Sequence, residues 1–256
     1  MSRRRALIVG ASRGLGLGLV ARFLAQGWDV TATVRLPSAA LAALRGLSGE
    51  GDAGPARESA SQPGRRAGHV STGAGSLRIE AGLDIDDDAA VAGLRTALAG
   101  EPDFDLVFVV AGVATQAGVP AGLVPRATAG AVFQTNALSP IRFAEAFHKR
   151  IAPDGLIVLM TSKLGSVSLN RGGGWSSYRA SKAALNTLAR SFAGQHSGAR
   201  WGLLLMHPGW VRTDLGGRRA TLDVETSARG MVEVIEARSG QRGCVFLDHT
   251  GATVPW

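Results

Sequence analysis

The stretch from Arg5 to Arg35 constrains the fold more than any other part of the chain. Arg5-Ala6-Leu7-Ile8-Val9 is a short apolar run of the kind that forms a buried parallel strand. It stops at a glycine turn, Gly10-Ala11-Ser12-Arg13-Gly14-Leu15-Gly16, and an apolar-periodic helix follows from Leu15 to about Gln26. Trp28–Val34 then reads as a second strand, which completes a βαβ unit. The glycines let the strand turn sharply, let a pyrophosphate approach the backbone, and let helix and sheet pack closely, with phosphate at the helix N-terminus. Their spacing is G-x-x-x-G-x-G, not the commoner G-x-G-x-x-G.

The residue ending the second strand selects the nucleotide. An acid there would bond the 2′-hydroxyl of NAD, whereas an arginine accommodates the 2′-phosphate of NADP. Arg35 stands at this position, and Arg13 in the glycine turn can reach the same phosphate. NADP(H) is the expected cofactor, the plainer alternative being that Arg35 is a solvated surface charge.

Further on, a short helix is expected over 38–47, then a stretch from Ser48 to Ser76 in which Val70 is the one large apolar residue. Such a stretch cannot bury enough surface to order itself, so it reads as a flexible insertion within a single domain spanning 1–256. Strands are expected near Leu77–Glu80, Phe104–Val110, Leu156–Met160, Trp201–Met206 and Val245–Leu247, alternating with helices. One long helix is expected from about Thr128 to Ile151, holding Asn136, a poor helix former that either faces water or has a polar task. The fold class is α/β: a Rossmann-type, doubly wound parallel sheet of about seven strands, covered on both faces. Ligands in such sheets sit beyond the carboxyl ends of the strands. The glycine turn, Arg35, Asp84, Ala111-Gly112, Ser162 and Pro208-Gly209 all follow strands, so they can converge. Asp84 could accept from an adenine amino group, and the small residues Ala111-Gly112 allow close approach of a cofactor.

Tyr178-Arg179-Ala180-Ser181-Lys182 carries the candidate chemistry, and Tyr178 is the sole tyrosine. Residues four apart share a helix face. An ammonium about 5 Å from a phenol, at an effective dielectric near 20, is worth roughly 3 kcal/mol in favour of the phenolate. That would bring the phenol most of the way to where acid–base work is efficient at neutral pH.

Composition narrows the classes. The formal charge is +8, but the arginines are scattered without aromatic interleaving, so nucleic acid is not an expected partner. No apolar run approaches the roughly 18–20 residues of a membrane span. The apolar part of the basic start is shorter than a signal peptide's, so a cytoplasmic location is expected. Cys244 alone cannot form an internal disulfide or a cysteine-based zinc cluster. His148, His196 and His249 lack metal-ligand spacing along the chain, and His207 reads as structural, so no metal is expected. Trp175 and Trp210 flank the proposed site from two loops, where they either line an apolar substrate pocket or simply pack.

Taken in order, Gly10-x-x-x-Gly14-x-Gly16, Asp84, Asn136, Ser162, Tyr178-x-x-x-Lys182 and Pro208-Gly209 resemble the short-chain dehydrogenase/reductase family over nearly the whole chain outside 48–76. Tyr178–Asn186, the Asn170–Trp175 loop and the Pro255-Trp256 end look most like its C-factor-like carbonyl reductases. The resemblance implies an NADPH-dependent reduction of an aldehyde or ketone, with Tyr178 as the acid. Lys182 would tune that acid and hold the nicotinamide ribose, Ser162 would bond the carbonyl oxygen, and Asn136 would fix a water in a proton route. Gly10, Ser12, Arg13, Gly14, Leu15 and Gly16 would cradle the cofactor, and Val211 and Thr213 would meet its carboxamide. It also implies a homodimer or homotetramer. An NADP-binding signalling protein with little turnover is the alternative. Two departures stand out. Val109-Val110 replace a pair of asparagines common in the family, and Ser162 lies sixteen residues before Tyr178, with Thr161 and Ser166 as rival hydroxyls.

Overall fold

Extended backbone sends alternate side chains to opposite faces of a sheet, and here the two faces become two cores. The computed structural model describes residues 3–36, 38–46, 69–71, 75–116 and 118–256. In β1 (Arg5–Val9), Leu7 and Val9 enter one core while Ala6 and Ile8 enter the other. β5 (Phe104–Val109) divides in the same way, with Val107 and Val109 on one side and Leu106 and Phe108 on the other. Strands apolar on both faces must be covered on both faces. On the first side, α3 (Asp88–Ala97), α5 (Ser139–Phe147) and α6 (Ser176–Gln195) contribute Leu94, Phe143, Phe147, Leu185 and Phe192. On the second, α1 (Gly14–Ala25), α2 (Ala39–Gly46) and α7 (Val224–Arg238) contribute Leu19, Phe23, Leu41, Met231 and Ile235.

The remaining strands are β2 (Asp29–Val34), β3 (His69–Ser71), β4 (Ser76–Ala81), β6 (Ile151–Met160), β7 (Gly202–His207) and β8 (Gly243–Asp248). Their order is β3-β4-β2-β1-β5-β6-β7-β8, parallel throughout except for β3, which runs antiparallel to β4. This is the expected α/β doubly wound sheet with a short strand added at one edge. Residues 69–71 therefore depart from the flexible reading of 48–76: Val70 pairs with Leu77 along a strand edge that would otherwise be open. Residues 48–68 and 72–74 of that stretch lie outside the described residues. The chain winds outward from β1 through β2 to β4, then returns to β5 beside β1 and winds the other way. The reversal opens a crevice beyond the carboxyl ends of β1 and β5.

The single helix expected over 128–151 is instead broken. α4 (Arg126–Phe133) runs into a π-helical segment, Gln134–Leu138, before α5 begins. Pro140 has no N–H to give the carbonyl of Asn136, and its ring crowds that carbonyl. The helix widens, and the Ser139 N–H bonds the Gln134 carbonyl five residues back. No helix among the described residues is long and apolar enough to cross a membrane.

Candidate active site

The crevice is built first from close backbone contacts. Gly10 has φ +91° and sits so near the turn after β5 that a Cβ would lie 3.0 Å from the Ala111 nitrogen. A Cβ on Gly16 would lie 2.1 Å from the Gly10 carbonyl oxygen. No other residue fits at Gly16, so the N-terminus of α1 is pressed onto the turn. Arg13, the N-cap, gives α1 no side-chain hydrogen bond, and its first turn holds no acid. Such an end suits an anion. Arg13 pairs with Asp214 at 2.7 Å, with both side chains about three-quarters exposed, a contact of little strength that an incoming phosphate can replace. Arg35 lines the rim and forms no ion pair among the described residues.

Gly10, Ser12, Arg13, Gly14, Leu15, Gly16 and Arg35 line one crevice together with Asp84, Ala111, Gly112, Tyr178, Lys182, Pro208 and Thr213. Asp84 is partly occupied, accepting at 3.0 Å from the Asp86 N–H. Thr213 lies over the glycine turn, its Cγ2 3.4 Å from where a Cβ on Gly14 would be. Its hydroxyl accepts from the Gly216 N–H at 3.1 Å. Gly209 and Val211 shape the loop from behind. Gly209 takes φ +86°, and buried Val211 bridges to Leu222.

At the centre, Tyr178 is buried in the first turn of α6, with Ser162 close enough to its hydroxyl to ease the proton off. Ser162 is fixed in turn: its Oγ accepts from the Leu164 N–H at 3.1 Å, as the cap of a short 3-10 turn over Lys163–Gly165. That turn can touch α6 because Gly165 has no side chain; a Cβ there would lie 2.8 Å from both the carbonyl carbon and the Cβ of Lys182. The rival hydroxyls are used elsewhere. Thr161 donates to Asn186 at 2.7 Å, and Ser166 donates to the Trp256 carbonyl at 3.2 Å.

Lys182 Nζ donates to the Met160 carbonyl at 2.9 Å and stands 5.9 Å from the Tyr178 ring centre. The proton affinities differ from the expected ones. Burial pushes the Tyr178 phenol up to about 12, with the Ser162 hydrogen bond opposing it. Burial also brings the Lys182 ammonium down to about 8. The lowering of the phenol by lysine, expected from the four-residue spacing, is not among the influences on Tyr178; loss of water around both groups sets the direction of each shift.

Asn136 is fully buried in the π segment. Its Oδ1 accepts from the Val113 N–H at 2.8 Å, and its Nδ2 donates to the Val113 carbonyl at 2.7 Å and to Ser181 Oγ at 3.0 Å. It thereby ties the turn after β5 to α6. It has a polar task, and a Cβ on Gly112 would stand 3.2 Å from its Oδ1 and 3.4 Å from Lys182 Nζ.

The two tryptophans separate. Trp175 sets its ring edge-on to Tyr178, centres 5.7 Å apart, from a left-handed position at the start of α6. Trp210 is 53% exposed and donates from Nε1 to the Gly216 carbonyl at 2.8 Å; neither indole lines the crevice. The Trp210 indole braces its own loop. His207 contacts no crevice residue by hydrogen bond among the described residues, and burial lowers it to about 4. Thr33, Asp86, Val113, Thr135 and Leu215 line the crevice without having been singled out from sequence. Asp86 accepts from the hydroxyls of Thr135 and Ser139 at 2.5 and 2.6 Å. Its carboxylate joins the start of α3 to the π segment, a pairing that no local spacing reveals.

A family model described as enoyl-(acyl carrier protein) reductase matches residues 59–240. The C-signal protein of Myxococcus xanthus is 40% identical over 126 residues, which cover 48% of this chain and 76% of that protein. Among solved structures, a Burkholderia multivorans protein assigned to the short-chain dehydrogenases/reductases, with bound NADP, is 37% identical with a TM-score of 0.85 over 100% of both chains. A carbonyl reductase from Pseudomonas aeruginosa PAO1 in complex with NADP is 34% identical with a TM-score of 0.81, again over 100% of both chains.

Proposed function

This chain belongs to the short-chain dehydrogenase/reductase family, and from that premise we propose that it is an NADPH-dependent reductase of an aldehyde or ketone. The observation that carries the reading is one contact in one place. Ser162 stands beside the buried Tyr178 hydroxyl, while Tyr178 and Lys182 line the same crevice as the glycine turn. A binding protein has no use for a desolvated phenol–hydroxyl pair beside a buried lysine.

The residues fit a dinucleotide phosphate. The uncapped start of α1 would hold the pyrophosphate, and Arg13 and Arg35 would hold the 2′-phosphate through charge-assisted bonds. Asp84 lies where an adenine amino group could donate to its free oxygen, and Gly112 leaves room beside Lys182 for a ribose. When bound, reduced nicotinamide supplies the hydride. Tyr178 then gives its proton to the carbonyl oxygen. A phenol held near 12 stays protonated at neutral pH, and it remains a stronger acid than the alcohol it forms. Ser162 donates to the same oxygen and steadies its developing charge. Lys182, near 8, is largely charged at pH 7 and reprotonates the phenolate region. Asn136 acts through position, holding Val113 and Ser181 so that the crevice wall and α6 keep their spacing. Trp175 steadies the Tyr178 ring from the side.

Loss of NADPH absorbance with a panel of carbonyl compounds tests this. Tyr178→Phe is expected to lower the rate by at least ~100-fold with the fold intact. Equal rates in the two proteins would overturn the mechanism. The likeness to C-signal favours a second reading, a signalling protein that holds NADP without turnover. Tight NADPH binding with no oxidation across the panel would select it. A homodimer or homotetramer, checked by light scattering, belongs to the same proposal.

A further inference from the structure

The far ends of the two helices that frame the crevice meet in a second cluster. Glu145 and His148 stand one turn apart where α5 passes into a 3-10 turn, and His196 is the C-cap of α6. His148 Nε2 lies 3.7 Å from one Glu145 carboxylate oxygen, and His196 Nε2 lies 3.2 Å from the other. The imidazole centres are 4.3 Å apart, and the three prospective ligand atoms lie within 4.8 Å of one another. A tetrahedral ion bound at about 2.0–2.2 Å keeps its ligand atoms roughly 3.4 Å apart. The two carboxylate distances, one to each oxygen, are close to that, and the set closes once the remaining separation, within 4.8 Å, shortens by side-chain rotation.

The rings are not free to drift. Phe192 meets His196 at 4.6 Å and His148 edge-on at 6.2 Å, and Trp201 stacks on Phe192 behind them. Glu145, 57% exposed, leaves one side open to water. The chain positions of His148 and His196 argued against a metal; their meeting in space is the work of α5 packing beside α6.

We propose that Glu145, His148 and His196 form a binding site for a zinc-class divalent cation, which staples the end of α5 to the end of α6. The donor set, two imidazoles and one carboxylate with an open fourth position, is one that zinc accepts. The site lies apart from the crevice, so the proposal stands whether or not the reductase reading does.

Calorimetry of tag-free protein with zinc chloride, and visible absorbance with cobalt(II), would read it directly. One equivalent is expected to bind with a tetrahedral cobalt spectrum. With free zinc at 100 times its Kd, Tm is expected to rise by roughly 5–10 °C, reversibly with EDTA. The double variant His148→Gln/His196→Gln is expected to weaken binding at least tenfold. Should that variant fail to fold, Glu145→Ala, at an exposed position, decides the matter by the same tenfold criterion. Zinc affinity unchanged in the variant that is read, or no binding by the wild type up to millimolar metal, overturns the proposal.

Discussion

Lys182 has its ammonium in a place that favours the uncharged form. Its value near 8 lies below the ordinary 10.5, so the unfolded chain binds this proton more tightly than the folded one. Burial therefore costs stability below about pH 8, and the cost fades as pH rises from 8 through 10.5. Tyr178 has the opposite sign. Its contribution is full below pH 10 and is lost as pH rises toward 12. Lys182→Met removes the buried charge but leaves the Met160 carbonyl without its donor. We expect the variant to be more stable than the wild type by about 1–2 kcal/mol in urea at pH 7, with the gap shrinking by pH 9.5. On the proposed mechanism, NADPH oxidation with carbonyl compounds is expected to collapse in this variant. At Arg35 the expected effect is on affinity. Arg35→Asp should weaken NADP binding at least tenfold more than NAD binding, since hydrogen bonds to a charged group are worth about 1.5–3 kcal/mol. Unchanged preference by calorimetry would remove Arg35 from the phosphate site.

At the scale of elements, a proline and a glycine hold the site together from outside it. Pro140 forces the π segment that turns Asn136 inward. Pro140→Ala lets that turn relax to an ordinary α-helix and carries the Asn136 amide off Val113. The expected result is a fall in kcat of roughly tenfold or more with Tm unchanged or raised, because an α-helical bond is gained. A parallel loss of both would mean that Pro140 serves stability alone. Gly165→Ala has the reverse character. Its Cβ would enter the Lys182 backbone, so the Ser162 turn and α6 must part. A loss of at least about 2 kcal/mol in denaturant unfolding is expected, together with loss of activity.

Across the whole molecule, the sheet places the site where its winding reverses, between two cores that share no side chain. A ligand seated there touches the turns after β1, β2, β5 and β7 together. NADP at 100 times its Kd is therefore expected to raise Tm by roughly 5–10 °C, and NAD at the same concentration by less. Equal shifts for the two nucleotides would count against the phosphate reading.

Local chemistry made much of this legible in one dimension. A strand ends where apolar residues meet glycine, and Gly16 is required by a contact only residues away, so the βαβ unit, its turn and the helix face shared by Tyr178 and Lys182 follow from the order of residues. The family resemblance came from the same short-range motifs. Contacts between distant residues could not be read that way. Asp86 on Thr135, Asn136 on Val113, Gly165 against Lys182 and His148 beside His196 each join two elements whose approach is set by packing. Proton affinity belongs with them. Four-residue spacing put an ammonium near a phenol, but the water removed from both by surrounding elements pushed the phenol up to about 12 and brought the ammonium down to about 8.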